Sequence, residues 1–262
     1  MPTPVQHLVV ADALLVDPNL PAAARALLTA QRGAFLFGNT APDVQTVSDQ
    51  PREATHFFNV PLDSNRPAHD VMFDAHPDLA RPDRLPPAHA AFLAGYIAHL
   101  LLDRMWVRDI FTPVFGPDAG WSGFRDRLFL HNVLRAWCDR HDQARLASGA
   151  GGLLAMVDPD HWLPFTTDEH LRRWRDGLVE QFAPGATIRT VEVFARRGQV
   201  PPEKFERILD SDDQMDGLIF SRIPRAAVEA FYARGLAQSR ELITGYLEPA
   251  RASLEDSGRA AE

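Results

Sequence analysis

Residues 87–111 read PAHAAFLAGYIAHLLLDRMWVRDIF, and this stretch decides the fold. Its apolar side chains follow a helical period and surround the helix nearly completely, which is typical of a helix buried on all sides. The most strongly apolar run, Ala90 to Leu102, is too short to cross a bilayer and contains His99. We therefore predict a core helix from Pro87 to Phe111 and no transmembrane segment.

Helix-period apolar spacing recurs through the rest of the chain, whereas alternating strand patterns bounded by hairpin turns are almost absent. We predict an all-α protein built as a multi-helix bundle. Residues 38–66 are rich in Gly, Pro, Asn, Asp and Ser and are predicted to form a long irregular segment. The other predicted helices run from just after Pro4 to Val16 and over Pro21–Arg32, Phe124–Leu146, Thr167–Gln181, Ala186–Arg197, Pro202–Leu209 and Ala226–Leu247. Gly33 is predicted to close the second helix, Pro21–Arg32.

Charge and cysteine content exclude several classes of partner and site. The 262 residues carry a formal net charge of -8, so the field of the protein repels phosphate backbones and no nucleic-acid partner is expected. The single cysteine, Cys138, excludes an internal disulfide and a multi-cysteine zinc site, so any metal must use nitrogen and oxygen ligands. The segment Met1 to Pro4 does not read as a secretory signal, and the expected location is the cytoplasm. The oligomeric state does not follow from the sequence.

The clearest chemical signal is a histidine and an aspartate inside the core helix. His99 and Asp103 are four residues apart, so their side chains lie on one face and can share a metal ion. Their neighbours are apolar, and burying an imidazole and a carboxylate there without partners would be costly. The alternative is a satisfied core pair, in which the two side chains bond to each other or to Arg104.

Three further residues could join this pair. Asp43 follows a proline in the irregular segment, His56 lies among aromatic residues, and His7 lies in the first turn of the first helix. Each also has an ordinary structural explanation, as a turn or capping carboxylate for Asp43 and as packed core histidines for the other two. Six more histidines are interpreted as surface, capping or loop residues, namely His69, His76, His89, His141, His161 and His170.

The order of these candidates along the chain resembles the zinc-dependent phospholipase C family. The resemblance spans roughly residues 5–107. That family is all-helical, is related in fold to the zinc-dependent single-strand nucleases, and hydrolyses phosphodiester bonds with up to three zinc ions; GPI-specific phospholipase D carries a related module. The matching features are His7, Gly38 to Asp43, Thr55-His56-Phe57, and Gly95-Tyr96 followed by His99 and Asp103.

The resemblance also implies a ligand set. Asp43, His56, His99 and Asp103 would surround one zinc ion, and Asp103 would bridge to a second metal held with His7. The resemblance further implies that this set lies at the centre of an all-helical bundle of the phospholipase C type, with additional helices at the C-terminal end.

This sequence departs from the family at two places. The secreted enzymes complete another zinc site with a His and, four residues later, a Glu, and no such pair follows the core helix here. Their mature N-terminal amine also binds metal, and the amine of Pro2 could take that part once the initiator Met is removed. The nearest substitutes for the missing pair are His131, Arg135 and Asp139, at helical spacing on one helix. An arginine could replace a cation's charge near a phosphate, but a solvated charged face is the favoured interpretation of that set.

Together these features predict a metal-dependent hydrolase of a phosphodiester or phosphomonoester, in which zinc or a similar divalent metal activates water. One to three ions are expected, with Asp43 as a ligand or as general base to the water. The expected partner is a small phosphate-ester substrate, whose identity does not follow from the sequence. Two alternatives stay open: a non-catalytic, metal-stabilised helical domain acting in protein interaction, and a helical interaction protein without metal.

The predicted organisation has three parts. Residues 1–148 form the metal-binding helical core, and residues 149–248 form a C-terminal helical extension packed on the core as one domain. The stretch from Ser148 to Gly152 is predicted to be a flexible joint. Residues 249–262 are predicted to be a frayed tail.

Overall fold

The computed structural model describes residues 1–146, 149–183, 185–186 and 189–248. Within those ranges the chain folds into helices and no β-strand forms, which confirms the all-α prediction. The α-helices are α1 (Pro4–Val16), α2 (Ala22–Ala30), α3 (Arg32–Gly38), α4 (Gln45–Ser48), α5 (Glu53–His56), α6 (Ala68–Ala75), α7 (Pro87–Trp106), α8 (Thr112–Phe115), α9 (Phe124–Asp142), α10 (Ala150–Ala155), α11 (Asp168–Gln181), α12 (Thr190–Gly198), α13 (Pro202–Leu209), α14 (Asp212–Met215) and α15 (Arg225–Leu247). Short 3-10 turns cover Ala41–Val44, Pro77–Ala80, Pro82–Arg84 and Gln143–Arg145, and π turns cover Val107–Phe111 and Asp216–Phe220.

Helix α7 is the central element, as predicted. Every residue from Ala90 to Leu100 is buried, because α3, α6 and α15 pack around this helix. With the π turn and α8 that follow, it is continuous from Pro87 to Phe115 and is long and apolar enough, by length and composition, to cross a membrane. However, 89% of its apolar window is buried inside the fold, and this burial accounts for its apolar character.

Two glycines let α3 and α7 approach each other closely. A Cβ atom on Gly38 would lie 1.9 Å from a backbone carbonyl oxygen of α7, and one on Gly95 would lie 2.3 Å from a backbone carbonyl oxygen of α3. No side chain fits at either distance, so the two backbones can touch only because both positions are glycine. This contact places Asn39, which follows α3, against the face of α7 that carries His99.

The C-terminal helices contact the N-terminal part of the chain at several places. Helix α15 packs against α7 and α1, and Tyr232 donates a hydrogen bond to Gln6 across this contact. Helix α9 packs against α1, α12 and α13, and α10 packs against α3 and α11. The predicted frayed tail, residues 249–262, lies outside the described residues.

The prediction of a flexible joint is wrong for most of its length. Helix α10 begins at Ala150, and Gly151 is buried so closely against α11 that a Cβ atom would lie 2.5 Å from the carbonyl oxygen of Phe182. Gly149 adopts a left-handed φ of 93°, and Ser148 lies outside the described residues. The glycine at position 151 therefore permits close packing instead of flexibility.

Two other predictions need correction. The second predicted helix is divided, because α2 ends at Ala30 and α3 begins at Arg32. Gly33 lies inside α3 and does not close a helix; α10 comes so near that a Cβ atom there would lie 2.7 Å from the carbonyl oxygen of Leu153. The segment 38–66 is also more ordered than predicted, since it contains a 3-10 turn, α4 and α5. The remaining predicted helices form, with α12 beginning at Thr190 and α9 ending at Asp142.

Candidate metal centre

The fold brings together five side chains from four separate elements. His7 lies on α1, Asp43 in the first 3-10 turn, His56 at the end of α5, and His99 and Asp103 on α7. The Nε2 atoms of His7, His56 and His99 lie 3.3, 3.4 and 3.6 Å from the oxygens of the Asp103 carboxylate. His56 Nε2 is also 3.6 Å from Asp43 Oδ1. The structure therefore unites all five residues of the main predicted set.

Hydrogen bonds on the far side of two rings orient them. His99 Nδ1 lies 2.8 Å from the carbonyl oxygen of Asn39, which can only accept, so this nitrogen carries the proton. His56 Nδ1 lies 3.1 Å from the hydroxyl of Thr55, which donates to the carbonyl oxygen of Arg52 and so accepts from the ring. In this tautomer each ring directs its Nε2 into the cluster, as metal-ligating histidines do.

The inward-facing ring nitrogens have no hydrogen-bond partner among the described residues. This holds for Nε2 of His7, His56 and His99, and also for Asp103 Oδ1, all of them buried. At 3.3 to 3.6 Å the nitrogens are near the carboxylate but not aligned with it as hydrogen bonds require. Several converging buried atoms without partners are unusual in a folded protein and call for an explanation.

Among these five residues, two groups of three have ligand atoms within 4.8 Å of one another: His7, His99 and Asp103, and Asp43, His56 and His99. His99 belongs to both groups. The donor atoms are imidazole nitrogens and carboxylate oxygens, a set that suits zinc and several other divalent metals. The residues present therefore fit a metal ion.

The electrostatics of the cluster favour two ionised carboxylates. Burial opposes the charge on Asp103, yet His99 and the close contacts with the other imidazoles hold its pKa well below its usual value. The pKa of Asp43 is also lowered, because the contact with His56 outweighs burial. Burial, reinforced by His99, lowers the pKa of His7 to about 4. The rings of His7 and His99 stack with centroids 3.8 Å apart, so they do not both carry a charge.

Arg52 is a member of the site that the sequence analysis missed. Its Nη2 donates a hydrogen bond to Asp103 Oδ2 over 2.6 Å, and its guanidinium lies 4.5 Å from the centroid of the Phe58 ring. Its Nη1 is buried and has no hydrogen-bond partner among the described residues. Arg52 precedes His56 by four residues, so the spacing that selected His99 and Asp103 could have revealed it.

The short segment that carries Arg52 and His56 is held between two left-handed residues. Asp49 has φ of 56° and Phe57 has φ of 58°. Aspartate tolerates this conformation, but a bulky residue such as Phe57 rarely adopts it, so the surrounding packing must impose it. Such strain often occurs at binding and active sites, and this segment carries two residues of the cluster.

The cluster opens to solvent on one side. The side chains of Asp43 and Arg52 are 22% and 21% exposed, whereas those of the three histidines and Asp103 are at most 2% exposed. A cavity of about 430 Å³ lies elsewhere, between α1, α9 and α15, and is lined in part by Cys138. We place the site by its donor chemistry and not by cavity volume, since that cavity holds no comparable set of unpartnered ligand atoms.

The second-tier candidates on α9 do not join the cluster. His131 Nε2 accepts a hydrogen bond from Trp106 Nε1 over 2.9 Å, and the Asp139 carboxylate accepts from the hydroxyls of Thr3 and Thr190. The favoured interpretation of this set as a solvated charged face is wrong, because both side chains are buried: His131 packs against Trp106 and Phe115, and Asp139 lies at the starts of α1 and α12.

The structure shows the surroundings of three more residues named above. The Arg135 guanidinium lies 4.4 Å from the centroid of the Phe194 ring, and its Nη1 donates to Asn132 Oδ1 over 3.1 Å. Pro2 is buried, and metal binding by its amine after removal of Met1 stays a prediction. His89, interpreted above as a surface or loop residue, is buried instead; its Nε2 lies 2.7 Å from the carbonyl oxygen of Trp162, on which its ring stacks.

No protein-family model, curated protein or solved structure matches this chain. The resemblance to zinc-dependent phospholipases C stays a prediction from the ordered residues. The geometry of the cluster is therefore the basis for a functional proposal.

Proposed function

We propose that this chain is a zinc-dependent hydrolase of phosphate esters, of the zinc-dependent phospholipase C type. The observation that carries the proposal is that three buried imidazole nitrogens, none of which has a hydrogen-bond partner among the described residues, converge on one buried carboxylate. Zinc would be held by His7, Asp43, His56, His99 and Asp103, although another divalent metal would suit the same donors.

Energetics favour a cation over a metal-free cluster. A buried polar atom without a partner costs about 1–3 kcal/mol, and Nε2 is such an atom in each of the three histidines. Protonating all three would place several positive charges around one carboxylate, and the stacking of His7 on His99 opposes this. A divalent ion accepts the lone pairs and neutralises the carboxylates at once, so it removes both costs.

The number of ions is limited by the ligands. His99 has one inward nitrogen, so it can serve only one of the two groups of three. If His99 serves an ion beside Asp43 and His56, a second ion would rely on His7 and Asp103. Zinc with an open coordination position supplies Lewis acidity and lowers the pKa of water.

Residues of the chain then position the reaction. Asn39 and Thr55 hold a proton on the outer nitrogen of His99 and His56, so that both rings are fixed with the inner nitrogen free to bind metal. Asp43 is the most exposed carboxylate of the set, and it serves as a ligand or accepts a proton from the attacking water. Its lowered pKa makes it a weak base, which favours the ligand role.

The opening at Asp43 and Arg52 favours catalysis over a purely structural metal site. Structural zinc sites are closed by protein ligands, whereas catalytic sites keep one side accessible. The net charge of -8 argues against nucleic acid as the substrate, so the proposed substrate is a small phosphate ester. The proposed location of the enzyme is the cytoplasm. A non-catalytic, metal-stabilised domain acting in protein interaction is the competing function.

Metal content and hydrolysis, measured together, test the proposal. The protein is purified without chelators, its metals are quantified by elemental analysis, and hydrolysis of bis(p-nitrophenyl) phosphate and p-nitrophenyl phosphate is followed. We expect bound zinc and hydrolysis in the wild type and the loss of both in His99→Ala. His141→Ala is the matched control, because His141 is exposed and stacks on Trp137 away from the cluster. A metal-free wild type would refute the metal site, and zinc without hydrolysis of either ester would favour the structural alternative.

A further inference from the structure

We propose that Arg52 is the phosphate-binding cation of this site and that its Nη1 donates to a nonbridging oxygen of the substrate. The inference rests on the proposed function, since it assigns a residue to recognition of the phosphate ester. Arg52 thereby supplies a positive charge that a further metal ion would otherwise provide.

The guanidinium of Arg52 is already fixed in place. Nη2 donates to Asp103 Oδ2 over 2.6 Å, and the group stacks 4.5 Å from the centroid of the Phe58 ring. These contacts hold the planar group in one orientation, so little conformational entropy is lost when a ligand binds. Because Nη1 and Nη2 share one carbon atom, Nη1 lies beside the same carboxylate that the imidazoles surround.

Nη1 needs an acceptor that the described residues do not supply. It is buried without a hydrogen-bond partner, and a charged donor left in that state is costly. A phosphoryl oxygen at the cluster would satisfy it. Arginine is well suited to this contact, because charge-assisted hydrogen bonds to phosphate are short and strong.

The charge balance of the site depends on Arg52. With neutral imidazoles, the carboxylates of Asp43 and Asp103 and the guanidinium of Arg52 sum to one negative charge. One divalent ion then makes the site singly positive, which favours an anionic ester. Removal of Arg52 would take one positive charge from beside Asp103 and so weaken the attraction of a phosphate.

Arg104 provides a matched comparison with Arg52, because both guanidinium groups lie near the Phe58 ring. Its guanidinium lies 5.7 Å from the centroid of the same ring, but its Nη2 donates to the carbonyl oxygen of Ser64 over 3.0 Å. Arg104 therefore shares the aromatic neighbour without sharing the carboxylate of the cluster. A loss of phosphate binding that is specific to Arg52 cannot come from the Phe58 contact alone.

Binding of inorganic phosphate to the zinc-loaded protein tests the inference apart from turnover. Titration calorimetry compares the wild type with Arg52→Gln, Arg52→Lys and Arg104→Gln, and elemental analysis reports the zinc content of each. We expect Arg52→Gln to weaken phosphate binding about 10- to 100-fold with zinc content unchanged. Arg52→Lys keeps the positive charge beside Asp103 but lacks the second nitrogen of the fork, so an intermediate loss is expected. Arg104→Gln should bind as the wild type does.

The possible outcomes are distinct. Wild-type phosphate affinity in zinc-loaded Arg52→Gln would overturn the role of Arg52 and leave the hydrolase proposal standing. Loss of zinc from Arg52→Gln and Arg52→Lys together would also overturn it, because Arg52 would then act by holding the ligands. A wild type that binds zinc and phosphate but hydrolyses no ester would refute the proposed function, whereas a wild type that takes up no zinc would refute both.

Discussion

Substitution of Asp103 by Asn separates the role of the central carboxylate in folding from its role in binding metal. The carboxylate is buried, and it receives Arg52 at 2.6 Å and the nearest imidazole at 3.3 Å. Asparagine has the same shape without the charge. Breaking a buried ion pair costs about 3–5 kcal/mol, but the Arg52 side chain keeps 21% of its surface in contact with solvent, which reduces the cost. We expect the zinc-free variant to lose about 2–3 kcal/mol of its free energy of unfolding.

Zinc should stabilise the wild type and not this variant. A ligand at about 1,000 times its Kd adds about 4 kcal/mol to the free energy of unfolding. Asp103 is the carboxylate nearest to His7, His56 and His99, so its loss removes the ligand that the others share. At the same zinc concentration the gain for Asp103→Asn should fall below about 1 kcal/mol.

Urea unfolding, followed by circular dichroism with and without zinc, measures both quantities. Asp109→Asn is the control, because Asp109 follows on the same continuous helix and pairs with Arg108 and Arg234 at the surface. That change should cost about 1 kcal/mol or less and leave the zinc-dependent gain intact. Equal stabilisation of wild type and Asp103→Asn by zinc would refute the assignment of this carboxylate.

Three further predictions concern pH and packing. Zinc binding needs a neutral His99 ring, and Asp103 and Asp43 raise the pKa of His99 against the effect of burial. Zinc affinity should therefore fall about tenfold per pH unit below that pKa, and isothermal titration between about pH 8 and about pH 6 measures it. Burial raises the pKa of Asp139 from 3.8 to about 7, so the folded protein holds a proton there that the unfolded chain releases. This contribution to stability is complete below about pH 3.8 and is lost as the pH rises through about 7. Between those limits the free energy of unfolding of Asp139→Asn should therefore rise by up to about 4 kcal/mol relative to that of the wild type. A difference in unfolding free energy that does not change with pH would contradict this. Gly38→Ala should destabilise the fold by about 3 kcal/mol or more in urea unfolding, because its Cβ would lie 1.9 Å from a carbonyl oxygen of α7, whereas Gly177→Ala, with open space around it, should not.

Helical periodicity was sufficient to predict the fold class and the pairing of His99 with Asp103. A helix fixes which residues share a face, so a spacing of four residues is enough. His7, Asp43 and His56 lie on three other elements, and no local rule places them beside α7. Their ordered resemblance to a zinc-dependent family linked them, and the structure brings all of them together, while the identity of any metal stays a prediction.

Properties set by distant contacts could not be predicted in the same way. His131 and Asp139 lie among arginines on α9, which favoured a solvated face. Their burial is decided by other elements, α7 and α8 for His131 and the starts of α1 and α12 for Asp139. Gly33 and Gly151 looked like a helix end and a flexible joint, although each permits the close approach of a helix far along the chain. Arg52 was not identified from the sequence, because the Pro- and Asp-rich segment around it did not predict the short helix α5.

An anomalous difference map at the zinc absorption edge, from crystals grown with zinc, tests the central claim most directly. We predict a peak within coordination distance, about 2.0–2.2 Å, of the Nε2 atoms of His56 and His99 and the oxygens of Asp43 and Asp103. The absence of a peak there, with the three imidazoles turned apart or bonded only to water and to one another, would contradict the account.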